Sequence, residues 1–235
     1  MPEIAQLRNP RLLKALKCRL EQMQVEIQAH TTMLDIKQGR NQQVTAVLTE
    51  KETITVDRVI LCTGAWSGQL NALKNTPLNV KPVSGEMILF KAAPQQLKRI
   101  ILHQGRYLIP RQDGRILCGS SLAFTQFDKQ IHASTKQSLQ QTAYQLAPFL
   151  KQVNIEHHWC GLRPASPNGV PYIDEHPEIQ NLYINTGHYR YGVTMGLGSV
   201  KLLLDKLMGK TSFLDINHFA LSRERPASHE FLENN

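Results

Sequence analysis

Two arginines in the last third of the chain lie in segments rich in glycine and proline. Arg163 precedes a proline, Arg190 lies between Gly187 and Gly192, and an apolar segment follows at 200–208. A strand, a glycine-bounded turn and a helix are typical of a site where the backbone approaches a ligand closely. The first turn of such a helix would offer N–H groups and partial positive charge to an electron-rich atom.

The isolated residue types favour plainer interpretations. An arginine beside a proline is more often an ion-paired surface residue than a ligand group. Trp159 is expected in the core. The adjacent His157 and His158 would point to opposite faces of a strand, and the cysteines lack metal-ligand spacing, so we expect no metal site. We interpret the cysteines as reduced and the protein as cytoplasmic.

The apolar run Val59–Cys62 predicts a strand that is buried on both faces, as in a parallel sheet. It ends in the turn Thr63–Ser67. Ligands of open parallel sheets bind beyond the carboxyl ends of the strands, which is where this turn would lie. A plain strand-to-helix turn is the alternative interpretation.

The remaining pattern predicts a helix and several antiparallel strands. Asn9 indicates a helix start as its N-cap, and Val25–Ala29 alternates as a strand does. Strand-like pieces recur from Lys81 to Gly119, and Ser134 would cap a second helix that runs through Ala147. The first helix would bury an apolar face made of Leu12, Leu13, Leu16, Leu20 and Met23.

The composition is that of a globular chain with a basic surface. The 235 residues are 41% hydrophobic and 20% charged, and the formal net charge is +8. The densest basic patch, Arg8–Arg19, is interpreted as a solvated helix face rather than a phosphate-binding patch. We therefore expect neither a nucleic-acid nor a membrane partner, although a basic nucleic-acid-binding protein remains a weaker alternative.

Several motifs point to a known family when taken together. Residues 159–173 read WCGLRPASPNGVPYI, and residues 187–192 read GHYRYG. The segments 8–16, 59–67, 82–87 and 107–115 read RNPRLLKAL, VILCTGAWS, PVSGEM and YLIPRQDGR. In this order the motifs resemble the glycine oxidase branch of the D-amino-acid oxidase family of flavoenzymes. The similarity reaches to about residue 223.

The resemblance implies a mixed α/β (α+β) fold, in which a partial Rossmann-like FAD-binding domain carries an inserted antiparallel-sheet substrate domain. We expect residues 1–75 to form the first segment of the FAD-binding domain. Residues 76–158 would form the substrate domain, and 159–235 the second FAD-binding segment with a frayed tail. Family members open with a Gly-x-Gly-x-x-Gly turn that holds the FAD pyrophosphate. This chain lacks that motif, so we expect it to begin after the first third of the family's length.

The resemblance also implies roles for particular residues. Arg163 would bind the substrate carboxylate through its planar fork, while Arg190 and Tyr107 would line the same pocket. FAD would be the cofactor. No side chain is assigned a catalytic role, because the flavin carries the hydride transfer. The residues implied to contact FAD are Met33, Thr63, Gly64, Ala65, Trp66, His188, Tyr189, Arg190, Tyr191, Gly192, Val193 and Thr194.

The implied reaction oxidises glycine or another small amine to an imine, which water hydrolyses, while oxygen is reduced to hydrogen peroxide. Such an oxidase would serve thiazole formation in thiamine biosynthesis. Glycine, sarcosine and small D-amino acids remain open as substrates, and so does a homo-oligomeric state. The positions that depart from the family pattern are Leu122, Asn168, Asp174, Tyr191 and Thr194.

A second hypothesis belongs to a different class. The chain would be a silent remnant, or one subunit of a split flavoenzyme, that cannot hold FAD alone. A separate chain would then supply the N-terminal part. Retention of flavin by the purified chain would distinguish the two hypotheses.

Overall fold

The structure is a computed structural model that describes residues 5–70, 73–124 and 127–225. The chain divides into two compact units. We call Met1–Asn79 together with Ser166–Asn235 the split unit, and Val80–Ala165 the inserted unit. The predicted mixed α/β architecture with an inserted antiparallel sheet is confirmed.

Three α-helices and twelve β-strands lie within the described residues. In chain order they are α1 (Asn9–Gln22), β1 (Met33–Gln38), β2 (Val44–Thr49), β3 (Thr53–Thr55), β4 (Val59–Leu61), β5 (Lys81–Lys91), β6 (Ile101–His103), β7 (Arg106–Pro110), β8 (Arg115–Gly119), β9 (Ala123–Phe124), α2 (Ala133–Leu146), β10 (Ile155–Ala165), β11 (Tyr172–Glu175), β12 (Leu182–Thr186) and α3 (Gly192–Leu207).

The inserted unit is a six-stranded antiparallel sheet with α2 packed on one face. The strand order is β10-β5-β8-β7-β6, and β9 pairs with the first half of β5. Alternate residues of β5, Ile88 and Phe90, are fully buried beneath the helix residue Leu139. Because side chains alternate along a strand, the residues between them point to the opposite face.

A buried carboxylate fastens the start of α2 to this sheet. The two carboxylate oxygens of Glu86 lie 2.8 Å from Nδ1 of His132 and 2.7 Å from Nε2 of His158. The backbone N–H of His132 also donates to Glu86, at 3.0 Å. Burial alone would raise the pKa of Glu86, but these hydrogen bonds outweigh it and hold that pKa below its usual value.

The split unit contains two small sheets. The order β1-β2-β3 is antiparallel, and in the order β11-β12-β4 the strand β12 runs parallel to β4. The sequence pattern of residues 44–49 and 53–56 predicts a hairpin, and the structure confirms it as β2 and β3. Helix α3 covers the second sheet by packing Leu202 and Leu203 against Ile173 and Tyr183.

The boundary expected at residue 158 falls inside a strand. β10 runs from Ile155 to Ala165 and pairs with β5 over nearly its whole length, so cutting it would separate bonded strands. Arg163 therefore belongs to the inserted unit rather than to the second FAD-binding segment. The frayed tail predicted at the C-terminus lies partly outside the described residues, but Arg225 is held, with its guanidinium 3.8 Å from the ring of Tyr172.

The predictions for the first 30 residues were partly wrong. Helix α1 begins at Asn9, and Arg8 is the N-cap, without a side-chain cap. None of its residues is buried, so the predicted apolar face has no covering element among the described residues. Val25–Ala29 forms no strand, and Val25 and Ile27 are exposed. Alternation predicts a strand only where a neighbouring strand is available for pairing.

Two further expectations fail in the inserted unit. Helix α2 starts at Ala133 with His132 as its N-cap, two residues before the predicted cap, Ser134. Trp159 is not a core residue, because it is 38% exposed on the face opposite α2. Within the described ranges, every helix is too short or too polar to cross a bilayer.

The hydrogen bonds that Glu86 makes with His132 and His158 predict a pH-dependent stability of the inserted unit. A pKa held below its ordinary value of 4.5 stabilises the fold above that pH, and this stabilisation is lost as the pH falls through the folded-state pKa. Glu86→Gln should reduce the free energy of unfolding at pH 7 by about 1 to 2 kcal/mol. The stability of the Glu86→Gln variant should also depend less steeply on pH below 5 than that of the unmodified protein.

Urea unfolding of both proteins at pH 7 and pH 4 would measure this difference. Trp66→Phe in both backgrounds leaves Trp159 as the tryptophan that reports on the inserted unit. If the free energy of unfolding changed equally with pH in the two proteins, the hydrogen bonds of Glu86 would contribute nothing to the loss of stability in acid.

Candidate functional site

The face of the inserted sheet opposite α2 carries both substrate-site candidates of this unit. Tyr107 lies opposite Gly119, which lies opposite Met87 on β5. Arg163 lies opposite Val83, four residues before Met87 on the same strand. Paired residues and residues four apart share a face, so the structure places Tyr107 and Arg163 on one side of the sheet.

The side chain of Arg163 lies flat across the neighbouring strand. Its Nη1 donates to the carbonyl oxygen of Ser84 at 3.2 Å, and its Nη2 donates to the hydroxyl of Ser120 at 2.8 Å. A Cβ placed on Gly85 would fall far inside van der Waals contact with the guanidinium. The absence of a side chain at Gly85 therefore makes room for the guanidinium.

Tyr107 approaches the middle of the sheet from the other side. A Cβ placed on Gly119 would lie 3.1 Å from the Tyr107 hydroxyl oxygen and 3.1 Å from Cε of Met87. The phenol thus leans from β7 over β8, while Arg163 leans from β10 over β5. A hydroxyl and a guanidinium above two glycines form a floor suited to a small molecule with a carboxylate.

In the split unit, the ends of two parallel strands bring together the other predicted segments. β4 ends at Leu61 and β12 at Thr186, and the strands pair in parallel, so both chain exits lie at the same edge. The Ser67 hydroxyl lies 2.6 Å from that of Thr186 and donates to the carbonyl oxygen of Gly64 at 2.7 Å. These bonds fasten the turn after β4 to the end of β12.

The segment after β12 makes a tight turn before α3. Gly187 has a φ of +81°, its carbonyl oxygen accepts a hydrogen bond from Ser166 at 2.7 Å, and Tyr189 has a φ of 49°. The Arg190 side chain is exposed, with its guanidinium carbon 5.5 Å from the Tyr189 ring centroid. Arg190 belongs to the split unit, and its predicted role at the substrate stays a prediction.

Two polar atoms in this turn are buried without partners among the described residues. They are Nε2 of His188 and the hydroxyl oxygen of Tyr189. Burial lowers the pKa of His188, so its imidazole is neutral at pH 7. Buried polar atoms without partners are uncommon in folded proteins, and here they lie directly before the start of α3.

The start of α3 is open. Tyr191 is its N-cap and provides no side-chain cap, and its first turn contains no acidic residue. Gly192, Val193 and Thr194 are exposed. Their amides have no partners within the helix, and the helix dipole adds partial positive charge, so this end is suited to an electron-rich atom.

Met33 and Asp174 lie in different sheets of the split unit. Met33 begins β1 and pairs with Thr49, in the sheet that does not contain β4, so strand pairing does not bring it to the Thr63 turn. Asp174 accepts from Lys206 at 2.5 Å and from the backbone N–H of Leu221 at 3.2 Å. This departure from the family pattern therefore ties α3 and the C-terminal segment to β11.

The similarity to known proteins covers most of the chain. The family model described as FAD dependent oxidoreductase (DAO) matches residues 1–206. The chain belongs to this family. Because the family is FAD-dependent, FAD is the cofactor expected at this site.

Several curated relatives of this DAO-family chain are glycine oxidases. The protein from Pseudomonas putida is 41% identical over 216 residues, which are 92% of this chain and 59% of the relative. The bifunctional protein ThiO/ThiG of Synechocystis is 33% identical over 88% of this chain. The chain thus spans about 59% of the length of the glycine oxidases that it matches.

Solved structures show the same fold. The glycine oxidase of Geobacillus kaustophilus superimposes with a TM-score of 0.77 at 29% identity, over 83% of this chain and 53% of that one. The L-proline dehydrogenase of P. horikoshii has a TM-score of 0.79 at 18% identity, over 94% of this chain and 59% of that one. The second similarity concerns the fold alone.

The described residues fit one end of FAD better than the other. The open start of α3 and the unpartnered His188 and Tyr189 suit an aromatic ring with electron-rich edges. The pyrophosphate end of FAD needs a row of backbone N–H groups, which family members supply from a Gly-x-Gly-x-x-Gly turn. This sequence contains no such turn.

Sequence reasoning missed the residues that hold Arg163. Ser84 and Ser120 carry no signal by themselves, because serine is common in strands and loops. Gly85 and Gly119 did carry one, since a glycine within a strand often marks close approach of another group.

Gly187→Ala tests the turn before α3. A Cβ there would lie 3.0 Å from Cβ of Ser166 on a backbone with positive φ, so we expect a loss of about 1 to 3 kcal/mol in the free energy of unfolding. The matched control is Gly196→Ala, because a Cβ at Gly196 in α3 meets nothing within 4 Å.

The control should be neutral or stabilising by up to about 1 kcal/mol. Urea unfolding of a Trp159→Phe background, in which Trp66 reports on the split unit, would compare the two variants. Equal stabilities would contradict the strain assigned to Gly187.

Proposed function

We propose that this chain forms the substrate-binding part, and the ring-binding edge, of an FAD-dependent oxidase of glycine or a similar small amine. The observation that carries the proposal is the guanidinium of Arg163 above Gly85, on the same face as the Tyr107 hydroxyl. The names of the glycine oxidase relatives support the substrate class. As the resemblance implies, the activity would serve thiazole formation in thiamine biosynthesis, in the cytoplasm.

The residues of the inserted unit would bind and orient the substrate. Arg163 would form two hydrogen bonds with the carboxylate, which leaves the amine end of the substrate pointing away from the guanidinium. Tyr107 would hydrogen-bond the substrate from the other side. Orientation of this kind accelerates a reaction because it removes the entropy cost of aligning the reacting groups.

The residues of the split unit would hold the cofactor ring. When bound, FAD supplies the two-electron oxidation of the substrate, with oxygen as the final acceptor. The amides of Gly192, Val193 and Thr194 would stabilise negative charge at the ring edge that they face. His188, whose pKa is lowered by burial, would add no positive charge to that of Arg190 and the start of α3.

A further segment would complete the split unit. β4 pairs on one side only in the described sheet, and α3 exposes a stripe made of Val193, Leu197, Val200, Leu204 and Met208. α1 exposes Leu13, Leu16 and Leu20. Exposed apolar stripes on helices and an unpaired strand edge are each typical of an interface. Its occupant would be the glycine-rich βαβ unit that this chain lacks, carried on another chain or on a longer form of this one.

The first experiment asks whether the chain works alone. The purified protein is incubated with excess FAD, desalted, examined for flavin absorbance and assayed for peroxide with glycine. Retained flavin with peroxide release would support the oxidase. Arg163→Ala should then lower kcat/KM on the order of 100-fold, because a charge-assisted pair is lost. The matched control is Arg99→Ala, at an exposed arginine, and this change should alter kcat/KM little.

Absence of retained flavin would favour the alternative, a subunit or remnant that does not hold FAD alone. The second experiment distinguishes these two. The probe is the segment of the Pseudomonas putida glycine oxidase that this chain does not match, added before FAD. We expect a complex on gel filtration that retains flavin.

Leu197→Lys should abolish that complex, because Leu197 is 88% exposed within the α3 stripe and a lysine there would be buried on binding. The control Leu102→Lys, at a site 68% exposed in the inserted unit, should leave it intact. A complex that forms equally well with both variants would reject this surface, and no complex with the unmodified chain would favour a silent remnant.

A further inference from the structure

We propose that Ser120 is a positioning residue for substrate binding and that it acts, together with the bare backbone of Gly85, through the Arg163 guanidinium. This inference rests on the proposed function, which makes Arg163 the carboxylate ligand. It adds a determinant of affinity that does not touch the substrate. It is based on the two hydrogen bonds that Arg163 donates and on the missing side chain at Gly85, which leaves space for the guanidinium.

The two bonds fix the plane of the guanidinium. One terminal nitrogen of Arg163 is bonded to the carbonyl oxygen of Ser84 on β5, and the other to the hydroxyl of Ser120, which follows β8. The acceptors belong to different segments, so rotation about the last side-chain bonds of Arg163 would break at least one of the two hydrogen bonds. An arginine carries roughly 2 kcal/mol of rotamer entropy, which these bonds reduce before any ligand arrives.

Both acceptors are uncharged oxygens. The contrast within the same sheet is Arg115, whose Nε and Nη2 lie 2.6 and 2.8 Å from the two carboxylate oxygens of Glu156. The two hydrogen bonds that Arg163 donates to Ser84 and Ser120 orient the guanidinium, and neither acceptor carries a negative charge. A guanidinium oriented by uncharged acceptors is suited to binding an anionic group.

Gly85 supplies the space that this orientation needs. A methyl group at Gly85 would coincide with the guanidinium, which would have to swing away. Gly161 is paired with Gly85 on β10, and a methyl group there meets nothing within 4 Å. The chain therefore offers a matched pair of substitutions, Gly85→Ala and Gly161→Ala, on adjacent strands and on the same face.

The experiment follows the Arg163 side chain directly and needs no cofactor. Arginine Nε–Hε and Nη–Hη signals are recorded by NMR in the full 235-residue chain, and the Arg163 signals are assigned by their loss in Arg163→Lys. Glycine is then titrated as the probe. In the unmodified chain we expect slow rotation about the Cζ–Nη bonds, seen as separate Hη signals, and saturable shifts on addition of glycine.

Four variants test the assignment. Ser120→Ala should merge the Hη signals and weaken the glycine affinity by about five- to tenfold, the loss expected when one intramolecular hydrogen bond is removed. Ser120→Thr retains the hydroxyl and should stay within about twofold of the unmodified chain. Gly85→Ala should weaken the affinity more than tenfold, while Gly161→Ala should keep the Arg163 signals unchanged.

The outcomes separate this inference from the proposed function. If Ser120→Ala keeps separate Hη signals and the original affinity, Ser120 does not position Arg163 and the inference is rejected. If the unmodified chain shows separate Hη signals that merge in Ser120→Ala but no shift with glycine, the positioning holds and the assignment of Arg163 to the substrate fails. Equal effects of the alanines at 85 and 161 would show a general response of the sheet, and would also reject the inference.

Discussion

The pairing of β5 with β10 is the constraint on which the inserted unit depends. Both strands have eleven residues, and their register runs from Ile155 opposite Phe90 to Ala165 opposite Lys81. Because side chains alternate, this register fixes what lies on both faces of the sheet. Glu86, Ile88 and Phe90 face α2. Gly85, Met87 and Arg163 face the opposite way. A slip of β10 by one residue would turn Arg163 toward the α2 side, away from Gly85.

The split unit depends on a different constraint, the parallel pairing of β4 and β12. Parallel strands bring chain exits to one edge, so segments about 120 residues apart in sequence, after Leu61 and after Thr186, are bonded through Ser67. Backbone N–H and C=O groups beyond the strand ends cannot pair within the sheet, and the hydroxyls of Ser67 and Thr186 bond to one of the carbonyl groups here. The first amides of α3 have no partner within the helix and point outward.

The sequence predicted the features that local patterns control. The strand at Val59, the hairpin of β2 and β3 and the glycine-bounded turn at Gly187 were all recognisable, because strand pairing and positive φ restrict residue type. The burial predicted for both faces of the first strand was wrong, since Ile60 is 45% exposed. The features that depend on distant partners were not. Val25–Ala29 has a strand pattern without a strand, and Trp159 has the composition of a core residue but lies on the open face. Ser120 could not have been singled out, since its role exists only through a bond to a residue 43 positions away.

The exposed apolar surface of α1 and α3 also has a thermodynamic consequence. Water around apolar groups gives the free chain a high heat capacity, and covering those groups with another polypeptide would release it. Such an association would therefore carry a negative heat-capacity change. Its enthalpy would become more negative as the temperature rises, and its hydrophobic driving force would weaken on cooling. Helix α1, with fourteen residues and none buried, is also near the length at which an isolated helix is marginal in water, so part of the association energy would be spent on ordering it.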